Sequence, residues 1–274
     1  MKPVCRALWI ALLIAAAVTP ARALDLTGTF TQGGLITGKA APGSTVTLDG
    51  TPVTVAPDGR FIIGFGRDAK AKAILRTAPP TGKPTTREIS VKPRTYKVQR
   101  IDGLPDRKVT PRAAEDLARI KSDIRQIAAV RTRTTLETFF DAGFIWPVEG
   151  RISGVFGSQR ILNGKPRRPH NGVDIAAPTG TPVKAMGDGI VALVHQDMFF
   201  TGKTVMIDHG LGLNSVYIHM NAITVRDGEF VTKGTQIGTV GQTGRATGPH
   251  LHWGVSWFKT HLDPALLVGP QKAR

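Results

Sequence analysis

Short runs of alternating apolar and polar residues occupy the chain from residue 24 to about residue 97. TVTLDG, VTVAPDG and RFIIGFG are such runs, and Asp49-Gly50 and Asp58-Gly59 stand between them. An Asp-Gly pair flanked by alternating residues is a strong signal for a β-hairpin. The pattern predicts a small β-sandwich over residues 24–98.

A helical period follows Thr110-Pro111, a candidate N-cap with proline at the first helical position. Apolar residues then recur three or four positions apart, with charged residues between them. We predict one amphipathic helix that ends near Arg133, inside a linker over residues 99–145. Its expected role is a connector that packs on a neighbouring domain, and partner binding is the alternative. The apolar positions are Leu117, Ile120, Ile124, Ile127 and Ala128.

The β pattern returns after Trp146-Pro147 and persists to the end of the chain. Many short strand-like runs are joined by Gly-rich turns, which is typical of an antiparallel all-β domain. We therefore expect a mainly β protein with an N-terminal β-sandwich, a linking α-helix and a C-terminal antiparallel β-sheet domain over residues 146–274. All seven histidines lie in this last domain.

The first 23 residues have the pattern of a secretory signal. Lys2 and Arg6 precede an uncharged apolar run, and Ala21-Arg22-Ala23 is a small-x-small cleavage site. A membrane anchor is the alternative, but the run is shorter than the roughly 20 residues that a spanning helix needs. We predict export, to the periplasm or the cell envelope.

The cysteine content limits the chemistry of the exported chain. The one cysteine is Cys5, inside the signal, so the mature chain has neither a disulfide nor a thiolate ligand. Any metal site must therefore use His, Asp and Glu.

The chain is strongly basic, with a formal charge of +16. Removal of residues 1–23 takes away three basic residues and no acid, which leaves +13. Such a surface attracts anionic envelope polymers, and a merely solvated surface is the alternative. The basic residues are scattered and no stacking-aromatic pattern accompanies them, so we predict no nucleic-acid partner. The sequence does not indicate which oligomeric state the protein has.

The segment PHLHWG places His250 and His252 one residue apart. Successive side chains of a strand alternate between faces, so both imidazoles should project on one face with Leu251 in the core. HNGVD supplies His170 and Asp174, which can converge across a turn into a strand.

These residues together predict a zinc site. Catalytic zinc takes three N or O protein ligands and keeps a fourth position open. His170, Asp174 and one histidine of the HLH pair meet that requirement, which leaves the other histidine and His219 beside the metal. By strand alternation, Tyr217 and His219 in VYIHM should share a face.

The region from about Trp146 to Pro264 resembles the LytM/lysostaphin family of zinc metallopeptidases. These are peptidoglycan endopeptidases with a duplicated hybrid motif-like β domain and with His-x-x-x-Asp and His-x-His motifs, which are HNGVD and HLH here. GVFGSQR, GVDIAAPTGTPVKA and VTKGTQIGTVGQTG add to the match. The chain departs from the family pattern at SVYIHM and at Trp253-Gly254, and both departures bear on substrate fit.

The resemblance implies His170, Asp174 and His252 as zinc ligands, with His219 and His250 as catalytic residues. The implied function is hydrolysis of amide bonds in peptidoglycan stem or cross-link peptides by a zinc-activated water. We expect His250 to accept the proton of that water, and His219 to stabilise the oxyanion or protonate the leaving amine. D-Ala–diaminopimelate cross-links are the first substrate expectation.

Two other functions stay open. One is a non-catalytic envelope protein that binds peptidoglycan or regulates an amidase, and the other is an extracellular protease that acts on glycine-rich protein loops. Of the remaining histidines, His209 is expected to be structural, and His195 and His261 are not expected to bind metal. The Gly-rich stretch over residues 241–248 is expected to bring His250 to the cleft and to form its rim.

Overall fold

The structure is a computed structural model that describes residues 24–271. The predicted signal over residues 1–23 lies outside the described residues. Within the described part, each helix is too short or too polar to cross a membrane.

Seven strands form the N-terminal part of the protein. They make two antiparallel sheets, one of three strands in the order β1-β2-β5 and one of four strands in the order β4-β3-β6-β7. The strands are β1 Asp25–Gly28, β2 Leu35–Lys39, β3 Thr45–Leu48, β4 Thr51–Val53, β5 Arg60–Gly64, β6 Lys72–Ala78 and β7 Thr85–Ser90.

The β3–β4 hairpin has the turn that its sequence predicts. Leu48 pairs with Thr51, so Asp49 and Gly50 are the two loop residues. Both have positive φ, +49° and +79°, as a type I′ turn requires. Asp49 also accepts the backbone N–H of Ile74 through Oδ1 at 2.7 Å, which ties the turn to β6.

The three-stranded sheet packs on both of its faces. Ile36 and Ile63 face the four-stranded sheet, whereas Leu35 and Ile62 belong to the core of the C-terminal domain. Gly64 lets this second face approach closely, because a Cβ there would lie 2.8 Å from Leu262 Cδ2. The N-terminal sheets therefore share a continuous apolar contact with the C-terminal domain.

The linker contains more structure than the single helix that its periodicity predicts. Strand β8, Val98–Ile101, pairs in parallel with a strand of the C-terminal domain. It is followed by the short helix α1, Asp106–Val109, the long helix α2, Ala114–Arg131, and a 3₁₀ turn over Phe139–Ala142.

The predicted start of the long helix is wrong. Thr110 does not cap α2, which begins at Ala114, because Thr110 ends α1 instead. The Thr110 hydroxyl is 3.1 Å from Arg167 Nη2 and accepts a hydrogen bond from it. A side chain held in this way is not available to the first backbone N–H groups of α2.

The face that α2 buries differs in part from the predicted apolar face. Leu117 and Ile124 are exposed, while Asp116, Asp123 and Val130 are buried at seven-residue intervals. Asp123 Oδ2 accepts the backbone N–H of Phe199 at 2.7 Å, and Asp116 pairs with Arg107. The helix is a connector that packs on the C-terminal sheet, and it does so through carboxylates, Val130 and the predicted apolar residue Ile127.

The C-terminal part is an antiparallel β domain, so the predicted fold class is confirmed. Its main sheet has the order β17-β14-β15-β16-β19-β12-β9, with β13, β18 and β20 paired at its sides, and β10 joins β8 and β11 in a small separate sheet. The elements are β9 Arg151–Gly154, β10 Gln159–Leu162, β11 Lys165–Pro166, β12 Val173–Ala176, β13 Pro182–Lys184, β14 Gly189–Met198, β15 Gly202–Asp208, β16 Leu213–Ile223, β17 Phe230–Val231, β18 Gln236–Val240, β19 His250–Trp257, β20 Thr260–Leu262 and the short helix α3 Ala265–Val268.

Adjacent substitutions in α2 test which face carries the packing. Asp123→Ala leaves the buried Phe199 N–H without its partner, so we expect the free energy of unfolding to fall by about 1–3 kcal/mol. Ile124→Ala, its control, removes a side chain that is 61% exposed and should change that free energy by less than about 0.5 kcal/mol. Urea unfolding of both variants measures this, and a larger loss in Ile124→Ala would contradict the observed orientation.

Candidate metal centre and cleft

The register of two neighbouring strands brings the first two site residues together. In the antiparallel pair β12–β19, Asp174 lies directly opposite His252, and Ala176 lies opposite His250. Both histidines project on one face of β19, while Leu251 is fully buried on the other. Directly opposite side chains of an antiparallel pair are close neighbours, so Asp174 Oδ1 and His252 Nδ1 lie 2.8 Å apart.

His170 reaches the same point from the loop before β12. Its backbone N–H bonds to Ser158 O at 2.9 Å, which holds the loop against the start of β10. Its Nε2 lies 2.8 Å from His252 Nδ1 and 3.0 Å from Asp174 Oδ1. Gly172 makes the approach feasible, because a Cβ there would lie 2.8 Å from His252 Nε2.

The protonation pattern of His170 shows what the cluster can hold. His170 Nδ1 is 3.1 Å from Val155 O, a carbonyl that can only accept, so in the neutral ring the proton sits on Nδ1 and the Nε2 lone pair is bare. That lone pair points at a carboxylate oxygen and a second imidazole nitrogen. Three such donor atoms, from His170, Asp174 and His252, form a group that could bind a metal ion.

Asp174 has a second partner on its other oxygen. Arg160 Nη2 lies 2.6 Å from Asp174 Oδ2, so Oδ1 alone faces the two histidines. Burial by itself raises the pKa of Asp174, but His170 and His252, whose protonated rings would donate hydrogen bonds to the carboxylate, outweigh burial and hold the pKa well below 3.8. Asp174 is therefore a carboxylate at neutral pH.

His219 and His250 stand beside these three residues with matching orientations. His219 Nδ1 donates to Thr243 O and His250 Nδ1 donates to Gly248 O, both at 2.8 Å, so each neutral ring keeps Nε2 as an acceptor. The two ring centroids are 4.8 Å apart, and His250 Nε2 is 4.0 Å from Asp174 Oδ1. Two unprotonated imidazole nitrogens thus flank the donor group.

Burial keeps the imidazoles of His252 and His219 neutral. It lowers the pKa of His252 to about 4, against the opposing effect of Asp174. It also lowers the pKa of His219 well below 6.5, with the nearby His250 and His252 adding to the shift. Neutral imidazole is the form that binds metal and accepts protons.

The expectation that Tyr217 and His219 share a face is wrong. His219 has a φ of +64°, and it lies between Tyr217 and Met220, where the register of β16 against β15 shifts. Such a bulge turns a side chain to the other face of a strand. Tyr217 is fully buried, and its hydroxyl accepts the Met186 N–H at 2.8 Å, so it has no part in the cleft.

His209 is buried and hydrogen-bonded on both ring nitrogens, as its structural role predicts. Nδ1 donates to Asp188 O at 2.6 Å, and Nε2 lies 2.8 Å from Ser215 Oγ. Among the described residues, neither His195 nor His261 belongs to a group that could hold a metal.

Three of the five residues, Asp174, His219 and His250, line a cleft of about 260 Å³, and the sequence predicted only part of its wall. The Gly-rich stretch before His250 contributes Arg245 and Gly248, as expected of a rim. Sequence reasoning missed Arg160, although it ends the quoted motif GVFGSQR. It also missed the linker, which lines the cleft with Gln99, Ile101 and Leu104.

Comparison with known proteins identifies the domain. Residues 168–264 match Peptidase family M23. The chain is 42% identical over 111 residues to peptidoglycan DD-endopeptidase ShyA of Vibrio cholerae, covering 39% of this chain and 26% of that protein. It is 43% identical over 103 residues to DD-carboxypeptidase/endopeptidase Mpg of Neisseria meningitidis, covering 38% of this chain and 24% of that protein.

A solved structure extends the similarity over most of the chain. A candidate M23 peptidase from Pseudomonas aeruginosa superposes with a TM-score of 0.68 at 32% identity, covering 88% of this chain and 96% of that one. The chain therefore belongs to peptidase family M23. The matched region spans about a quarter of the length of the two curated relatives.

Gly154 offers a test of the site that alters no donor atom. A Cβ at this position would overlap Asp174 Oδ2, so Gly154→Ala should displace the carboxylate and weaken metal binding about 10- to 100-fold. Gly66→Ala is the control, because its Cβ would make an ordinary contact, 3.4 Å from Thr260 Cγ2. Competition with a metal-binding dye measures both, and an unchanged affinity in Gly154→Ala would contradict this geometry.

Proposed function

We propose that the protein is an exported, zinc-dependent endopeptidase that hydrolyses amide bonds in peptidoglycan stem or cross-link peptides. The observation that carries the proposal is the convergence of His170 Nε2, Asp174 Oδ1 and His252 Nδ1 within 2.8–3.0 Å of one another. Two further imidazoles stand beside them in one cleft.

The donor set suits zinc. Two neutral imidazoles and one carboxylate are a common protein ligand set for catalytic Zn²⁺, and oxygen-rich sites would be expected for Mg²⁺ or Ca²⁺. His170, Asp174 and His252 would hold the ion. Bound zinc supplies a Lewis acid and makes hydroxide available near neutral pH.

His250 is the residue that we assign to proton transfer in the first step. Its Nε2 faces the donor group and is free to accept a proton from the attacking water. The His250 side chain is 17% exposed, so solvent can stabilise the imidazolium that results. The same proton can then pass to the leaving amine.

His219 has a more restricted role in proton transfer than His250. Its Nδ1–H is held by Thr243 O, so its Nε2 can stabilise an oxyanion or protonate an amine only after gaining a proton. Burial opposes that charge and keeps the His219 pKa well below 6.5. We therefore propose that His219 first accepts a hydrogen bond from the water, and that it donates only after the second proton of that water, the one not taken by His250, has passed to its Nε2.

The names of the relatives bear on which bond is cleaved. Proteins from Vibrio cholerae that share the domain are named peptidoglycan DD-endopeptidases. We propose the same class of bond here, with D-Ala–diaminopimelate cross-links as the substrate. Such a substrate lies outside the cytoplasm, in keeping with the predicted signal over residues 1–23.

Metal removal tests the enzyme directly. The purified protein should convert cross-linked muropeptide dimers to monomers, lose this activity with a zinc chelator, and regain it on addition of zinc. His252→Ala should lack both the bound zinc and the activity, because only two donor atoms remain. Mass spectrometry of the digest identifies the bond, and elemental analysis gives the zinc content.

Intact dimers in the presence of stoichiometric zinc would contradict the proposal. Tight muropeptide binding without cleavage would then favour the non-catalytic alternative. Cleavage of glycine-rich proteins instead of muropeptides would favour the extracellular protease.

The zinc content of alanine variants distinguishes the two flanking histidines from the three proposed metal ligands. His219→Ala and His250→Ala should both retain zinc, because neither supplies one of the three donor atoms. Each should lower kcat about 10²- to 10⁴-fold, the usual contribution of general acid–base groups. His195→Ala is the matched control, with zinc and kcat at the wild-type level, and full activity in either site variant would exclude its assigned role.

A further inference from the structure

Three guanidinium groups line the cleft, from Arg151, Arg160 and Arg245. Asp174 is the one carboxylate among the described lining residues, and it is already paired with Arg160. The cleft is thus positive even before a divalent ion is added. Clefts lined by one sign of charge attract ligands of the opposite sign.

Arg245 is positioned without a counter-ion. Its guanidinium lies 4.5 Å from the centre of the Phe200 ring, and Nη1 donates to Lys108 O at 3.2 Å. Within residues 24–271, no carboxylate forms an ion pair with Arg245. A ring and a carbonyl orient a guanidinium but do not neutralise it.

The environment of Arg245 makes this lack of a partner costly. Burial, followed by the positive charges of Arg160 and Arg167, lowers its pKa to about 10. Arg245 therefore stays charged at neutral pH, in a site that disfavours a cation. An anion placed there would relieve both effects.

The size of the cleft puts that anion near the reacting bond. At about 260 Å³ it lies just under the ~300–1,000 Å³ of common ligand pockets, and Arg245, His219 and His250 all line it. A carboxylate held by Arg245 would thus lie within a few bonds of a carbonyl at the metal centre.

We infer that Arg245, supported by Arg151, binds a free carboxylate on the amine side of the scissile amide. The inference rests on the proposed function and narrows its substrate class. It selects peptides in which the amide nitrogen is attached to a carbon that also bears an ionised carboxyl group, as at the D-centre of a diaminopimelate cross-link. Arg and a carboxylate form paired, charge-assisted hydrogen bonds that an uncharged amide cannot reproduce.

Two synthetic cross-link peptides test the inference, identical except that this carboxyl group is free in one and a carboxamide in the other. With the zinc-loaded full chain, we expect kcat/KM to be about 10- to 100-fold higher for the free acid. In Arg245→Gln this ratio should fall toward one, and in Arg151→Gln it should fall in part. Arg76→Gln, an exposed arginine of β6, is the control and should keep the wild-type ratio.

Arg151 is exposed, so its variant does not depend on the packing around Arg245. A wild-type ratio near one would overturn the inference, as would a ratio that neither Arg245→Gln nor Arg151→Gln changes.

A binding measurement distinguishes failure of the carboxylate-site inference from failure of the proposed endopeptidase function. Isothermal titration of zinc-loaded His250→Ala with each peptide needs no hydrolysis. At least tenfold tighter binding of the free acid, lost in His250→Ala/Arg245→Gln, would support the carboxylate site even if the wild type cleaved neither peptide. Equal binding of the two peptides would overturn it even if the wild type cleaved both.

Discussion

The register between β12 and β19 is the constraint on which the site depends. Ile175 and Leu251 are paired across these strands on the core face, and both are fully buried. A slip of one residue would turn them to the cleft and turn Asp174 and His252 inward. Burial of each apolar side chain contributes about 1.5–3 kcal/mol, so the core holds the metal-binding face in place. The chemistry on one side of the strands is thus secured by packing on the other.

Close backbone approaches at two glycines and backbone strain at one histidine also position the site residues. Gly154 and Gly172 leave room for Asp174 and His252 where a Cβ would collide. His219 adopts a positive φ, a conformation that costs about 1–3 kcal/mol in a non-glycine residue. Hydrogen bonds from its backbone N–H to Thr201 O and from its ring to Thr243 O offset that cost. This strained residue brings a fourth imidazole beside the donor group.

The N-terminal part of the chain is physically continuous with the cleft. Its three-stranded sheet packs on the C-terminal core, and Arg94 pairs with Asp263 at 2.8 Å where the two parts meet. The linker then continues as β8 beside β10 and lines the cleft. Leu104 and Asn163 bond to each other in both directions, at 3.2 and 2.6 Å, which holds the linker there. Any movement of β8 would change the space open to a substrate.

Features that depend on neighbours in the chain could be predicted from the sequence. Strand alternation placed His250 and His252 on one face, Asp49-Gly50 predicted the β3–β4 hairpin, and Gly-rich turns predicted the antiparallel fold, whereas Asp58-Gly59 joins strands of two different sheets. Features that depend on contacts between residues distant in sequence were decided by the tertiary structure. Helix α2 buries Asp123 rather than Ile124 because Phe199 presents an N–H that needs an acceptor. His219 leaves the face of Tyr217 because a bulge forms where β15, β16 and β18 meet. The partners of Arg160 and Arg245 are separated from them by 14 and 137 residues, a distance over which no local periodicity carries information.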